Sequence, residues 1–269
     1  FLFWSAQVLA AHGILTFLTY YNFESFFHRA LLITALVFLW PLLCSLHLRS
    51  VRDLQLEKNP HGVRDVVAGL LVSGLPLACA GMVLILAKVF LLKTAIPWAS
   101  IGAITAAAAG VPLIEETFFR GLLLGILLRD LRALTATFLT SFLFAIVHFL
   151  KAPGRTSELV TWCSGFKSIA HSFGQFADPI MVMAAFTTLF LIGWILADSR
   201  LRTRSLWMPI GLHSGWIFVS GIVGKMTKRP EILPWLGRNL LIGLIPLGLA
   251  LVSWALMFVW LRYEDRENA

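Results

Sequence analysis

Five ionisable side chains stand where an otherwise apolar sequence should not carry them. In the run Pro112-Leu-Ile-Glu115-Glu116-Thr-Phe-Phe-Arg120-Gly121, two adjacent carboxylates and a guanidinium interrupt a long apolar stretch. His148 closes the segment Phe144-Ala-Ile-Val-His148, and His213 lies inside Leu206-Trp-Met-Pro-Ile-Gly-Leu-His213-Ser-Gly-Trp216. A charge placed in hydrocarbon costs roughly several kcal/mol unless it is paired or faces a cavity. Ionisable groups at such depth are functional-site candidates by default.

Spacing assigns first roles. Glu116 and Arg120 are four residues apart with the acid first, the favourable order for a helical ion pair. Glu115 is about 100° around the helix from Glu116 and points elsewhere. It is then the carboxylate left in an apolar setting, as a general base would be. Phe144 lies one turn before His148, on the same helix face. With 1.5 Å of rise per residue, Glu115 stands about 21 Å from Arg129, and His148 about 24 Å from Arg132. Two consecutive antiparallel helices sharing the Arg129–Arg132 turn bring both to similar depth. A carboxylate base, an imidazole and a hydrogen-bond donor are what water needs to hydrolyse an amide. The same Glu115, His148 and His213 also make a two-histidine, one-carboxylate set that zinc can use with an open position for water, although no HExxH occurs. A buried salt bridge that only locks helices is the plainer reading of Glu116 and Arg120. Two acids for one base are more than such locking needs.

The elements that carry these residues are read as membrane helices. Of the 269 residues, 58% are hydrophobic and 13% charged, against about a quarter charged in soluble domains. The mean hydropathy is +0.83. Eight apolar blocks run over Phe1–Tyr21, Ala30–Leu48, Val66–Leu92, Trp98–Leu128, Ala133–Leu150, Pro179–Ala197, Leu206–Val223 and Leu240–Leu261. A span needs about 20 such residues. The expected fold is therefore all-α, a polytopic membrane protein of about eight transmembrane helices. The fourth block holds Pro112 and either kinks there or begins as an interfacial segment. The stretch Lys151–Asp178 reads as re-entrant or surface-lying.

Charge and cysteine usage narrow the partners. The net charge is +8, but Lys and Arg sit in short loops between blocks, where they orient helices and meet anionic lipid. No basic stripe with interleaved aromatics points to nucleic acid. The Arg129–Arg132 turn and the Arg200–Arg204 cluster favour their own side, with both termini, as cytoplasmic. Cys44, Cys79 and Cys163 are far apart, with no CxxC pair, and suggest neither a disulfide framework nor a thiolate metal site.

Three motifs in order carry a resemblance. Glu115-Glu116-x-x-x-Arg120, Phe144-x-x-x-His148 and His213 resemble the motifs of the CAAX protease and bacteriocin-processing (CPBP, or Abi) family of intramembrane endopeptidases. Phe190-x-x-Gly193 and Thr203-x-Ser205-Leu206-Trp207, leading to Gly211-Leu-His213, resemble that family's approach to its third motif. The resemblance covers 98–223 as a CAAX-protease-like helical core. It leaves 1–97 as N-terminal transmembrane helices of unassigned role, and 224–269 as a loop and last helix. It implies a glutamic-type endopeptidase acting on a membrane-associated peptide or protein tail without a cofactor. The compact chain and the lack of targeting motifs point to a bacterial inner membrane. Glu115 with His148 would activate water, His213 would stabilise the oxyanion, and Glu116 with Arg120 and Phe144 would support them. One position departs from the pattern. Ile217 stands where the family carries Asn or Asp four residues after the histidine, which leaves Ser214 or the Trp216 indole as the other oxyanion donors. A non-catalytic immunity or scaffold protein using the same cavity is the alternative. A transporter would show inverted repeats or paired broken helices, and none are present. GxSG-like serine sites and paired GxGD aspartates are absent from the blocks.

Overall fold

The computed structural model describes residues 2–20, 57–95, 98–149, 160–173, 179–228 and 240–267, with scattered positions between 23 and 53 and at 232 and 234–236. The described chain falls into two units, Phe1–Ser50 with Val147–Ala177, and Val51–Ile146 with Asp178–Ala269.

In the first unit, α1 (Leu2–Ala11) is followed by a 3₁₀ turn at Thr16–Tyr20. Phe3 packs edge-on against Phe23 and Phe26, and Trp4 meets Trp162. The polar stretch after the fifth block contains α6 (Ser164–Phe173), preceded by a turn in which Thr161 N–H donates to Ser164 Oγ at 2.8 Å. Most of the second apolar block lies outside the described residues.

The second unit is built from α2 (Gly62–Leu86), α3 (Trp98–Glu116), a π-helical stretch Thr117–Leu123, α4 (Leu124–Asp130), α5 (Ala133–Phe149, up to Ile146), α7 (Pro179–Thr203), α8 (Trp207–Met226) and α9 (Leu244–Glu267). Two residues after each of two helices form an antiparallel ribbon, β1 (Leu91–Leu92) with β2 (Thr227–Lys228). Strands this short leave no alternating pattern to read, so an all-α expectation misses them. Helix α3 runs through the buried Pro112 without breaking, and the irregularity falls after Glu116, in the π-helical stretch. Such stretches are rare and often mark functional sites.

Among the described helices, α2, α7 and residues Leu244–Tyr263 of α9 are long and apolar enough to cross a membrane. The eight expected spans are not all of this kind. Helix α1 has 10 residues and α5 has 17. Helices α3 and α8, of 19 and 20 residues, carry Glu115, Glu116, His213 and Ser214.

Helix α8 is clamped along one face by α2. The two run parallel, with contacts climbing together from Gly62 at Trp207 to Gly81 at Val223. A Cβ on Gly69 would lie 2.7 Å from the backbone of Leu212 and Met208. One on Gly211 would collide with the Val66 carbonyl, and one on Gly215 with Ser73 Oγ and the Leu70 carbonyl. Glycine alone permits backbones this close. On another side, α5 and α7 run antiparallel through a ladder of Phe138, Phe142, Phe186 and Phe190. Helix α9 is tied to α7 by Trp254 Nε1, which donates to Asp198 Oδ2 at 2.9 Å, and by Arg202 over the Phe258 ring.

Candidate active site

The π-helical stretch and α3 place Arg120 one turn after Glu116, and both side chains are completely buried. Arg120 Nη1 donates to Glu116 Oε1 at 3.0 Å, and Nη2 donates to the Gly193 carbonyl of α7 at 3.0 Å. The guanidinium lies 4.3 Å from the centroid of the Phe144 ring, with Phe119 on another side. Charge, carbonyl and ring together supply partners for a cation that hydrocarbon would otherwise penalise. Gly193 permits this approach. A Cβ there would come within 3.1 Å of Ser141 Cα and 3.3 Å of the Phe144 ring.

The same Glu116 Oε1 also accepts from His213 Nδ1 at 2.7 Å. His213 stands on α8 opposite the glycine-lined contact with α2, because Gly211 and Gly215 each lie two residues away, about 200° around the helix. Its ring meets Phe144 edge-on. The carboxylate thus fixes both the ring orientation and the nitrogen that faces away. That nitrogen, Nε2, is 3.9 Å from Glu115 Oε2. Burial grades across the group: Glu116 is sealed, the His213 side chain is 7% exposed and that of Glu115 is 27% exposed. The Glu115 oxygen that faces His213, Oε2, is nonetheless buried.

The structure gathers Glu115, Glu116, Arg120, Phe144 and His213 into one cluster of the second unit. His148 is half-buried on the last turn of α5 and belongs to the first unit. Ser214 is buried beside His213 in sequence. Trp216 is 1% exposed in the main apolar core with Met208, Leu212 and Phe144, and its Nε1 has no hydrogen-bond partner among the described residues. Among the described residues no three His, Cys, Asp or Glu side chains form a group that could hold a metal ion. Nδ1 of His213 is engaged by Glu116.

Two features lay beyond sequence reasoning. The Gly193 carbonyl holds Arg120 through backbone, so no side-chain type announces it, although Phe190-x-x-Gly193 marks the position. The bond from His213 to Glu116, rather than to Glu115 alone, joins residues 97 positions apart and needs the tertiary fold.

No curated protein and no solved structure matches the chain. A family model does: residues 96–219 match the one described as Rce1-like, type II CAAX prenyl endopeptidase. That segment contains the whole cluster around Glu116, so the part of the chain that holds the site is similar to a CPBP-family model of a CAAX-type endopeptidase.

Proposed function

We propose that the protein is a glutamic-type intramembrane endopeptidase that hydrolyses a peptide bond in a membrane-associated peptide or protein tail. The supporting observation is the facing pair of Glu115 Oε2 and His213 Nε2 at 3.9 Å. That separation is too long for a direct hydrogen bond and suits a water beside both. A water about 2.8 Å from each atom would subtend an angle of roughly 90°.

In this reading Glu115 takes a proton from the water as its oxygen attacks the scissile carbonyl carbon. His213, held by Glu116 through Nδ1, presents Nε2 to the reacting centre. With a proton on Nε2 it donates to the oxyanion that develops on the carbonyl oxygen. Collapse of the tetrahedral intermediate breaks the C–N bond, and the proton on Glu115 passes to the leaving amine. Arg120 and Phe144 keep Glu116 in place and do not touch the substrate. His148 shares the activation of water with Glu115, a role that rests on its Phe144-x-x-x-His148 motif.

The test is cleavage of a membrane-tail peptide by purified chain, against Glu115→Ala and His148→Ala, with and without a chelator. The expected result is loss of cleavage in both variants and indifference to chelation. Removal of one general base or acid costs about 10²–10⁴ in rate. Cleavage abolished by chelator and restored by zinc would replace the glutamic mechanism with a metal one. Full activity in Glu115→Ala would overturn the assignment of the base.

A further inference from the structure

We propose that the ribbon end of the second unit is a seat for the headgroups of anionic phospholipids. The ends of α2 and α8 and the starts of α3, α7 and α9 meet there, since α3 is antiparallel to α8 and α7 is joined to α8 by a short turn at the opposite end. Lys88, Lys93, Lys225 and Lys228 all lie at this end and are all exposed. They are brought together by the backbone. Lys93 N–H donates to the Met226 carbonyl, Lys93 Nζ donates to the Lys225 carbonyl at 2.9 Å, and Lys228 pairs with Leu91 across the ribbon.

Among the described residues, none of the four lysines has an acidic partner, and no Asp or Glu lies at this end. The opposite end is built differently. There Arg204 pairs with Glu57 at 2.8 Å, and Arg202 with Asp198 at 3.0 Å. The described ribbon end is thus a surface of four lysines whose charge suits an anion from outside the chain. Lys88 adds a second sign. Its φ is +58°, in the left-handed region where glycine is favoured. A lysine stands at the one turn between α2 and β1 where a glycine would relieve the backbone.

Apolar exposure decides between a lipid and a soluble anion. Leu91, Leu92, Trp98 and Trp235 are each more than half exposed at the same end. Tryptophan at this level is typical of the membrane interface. Beside it opens an almost wholly apolar groove of about 370 Å³, lined by Pro179, Ile180, Met183, Pro234, Leu244 and Leu247. Basic groups over apolar surface match a phosphate headgroup over an acyl chain. A soluble polyanion would meet those leucines and tryptophans without benefit.

The experiment uses the full chain in detergent micelles doped equally with phosphatidylglycerol and phosphatidylcholine, with lipid retained per protein read by native mass spectrometry. The native chain should retain phosphatidylglycerol in preference, and added salt should erode that preference. Replacing Lys88→Gly with Lys93→Gln, Lys225→Gln and Lys228→Gln should lower it at least about tenfold. Arg202→Gln with Arg204→Gln, at the far end, should leave it unchanged. Lys88→Gly keeps the left-handed turn, and the salt titration on the native chain decides the matter if the quadruple variant does not fold. Equal retention of the two lipids, insensitivity to salt, equal loss in both variants, or displacement of the lipid by inorganic phosphate would each overturn the proposal. Proteolysis plays no part in the readout, so failure of the endopeptidase reading would leave this result intact.

Discussion

The buried pair Glu116–Arg120 can be tested by a double-mutant cycle. Arg120→Met keeps much of the side-chain volume and removes the guanidinium. It deletes the bond to Glu116, the bond to the Gly193 carbonyl and the contact with Phe144. Glu116, with no solvent exposure, is then left with His213 as its remaining partner. Breaking a buried pair from one side costs about 3–5 kcal/mol, because a charge stays behind. At about 2–4 °C per kcal/mol for chains of this order, the apparent unfolding midpoint should fall by roughly 6–20 °C. Glu116→Gln strands Arg120 in the same way and should cost a similar amount. The double variant strands no charge. Its loss should fall short of the sum by about 0.5–3 kcal/mol. The assay is thermal unfolding in one detergent, followed by intrinsic fluorescence, for all four proteins. Additive losses would refute the coupling and with it the view that Glu116 is the hub of the cluster.

Three further outcomes follow from the packing. Gly211→Ala drives a methyl into the Val66 carbonyl and should destabilise by about 1–3 kcal/mol, while Gly110→Ala, with nothing within 4 Å, should be neutral or stabilising by up to about 1 kcal/mol; unfolding midpoints of the two compare them directly. Trp216→Phe removes an indole N–H that bonds nothing among the described residues. Peptide cleavage should therefore stay within about tenfold of native, and a loss approaching 10²–10³ would make that N–H an oxyanion donor after all. Gly193→Ala should shift the Arg120 carbonyl anchor, lowering the cleavage rate more than it raises KM; a change in KM alone would put Gly193 in substrate binding.

Charge out of place is what made the site legible. Glu116 and Arg120 are visible as a pair because an apolar run has no other reason to hold them at helical spacing. His213 stands out for the same reason. Partner choice was less legible. Glu115 and Glu116 are adjacent in sequence, and whether a histidine 97 positions on meets one or the other depends on how α8 is rotated. That rotation is set by Gly211 and Gly215 against α2, which look like ordinary small residues in an apolar block. The π-helical stretch carries no signature in side-chain type either. Its effect is geometric, re-aiming Thr117–Leu123 by backbone alone. Of the eight apolar blocks, three show among the described residues as helices long and apolar enough to cross a membrane, and most of the second block lies outside those residues.

Helix α2 begins at Gly62 and ends at Leu86, before the matched segment opens at 96. The wall that fixes the histidine thus lies outside the part of the chain that the family model matches. Two kinds of inheritance follow. Residues that carry charge must keep their identities, because a carboxylate and an imidazole have no substitutes at those positions. Residues along the α2–α8 seam need only keep their combined bulk small. Descendants of this sequence should vary there in matched steps, a methyl gained on one helix answered by one lost on the other, while the histidine behind them stays still.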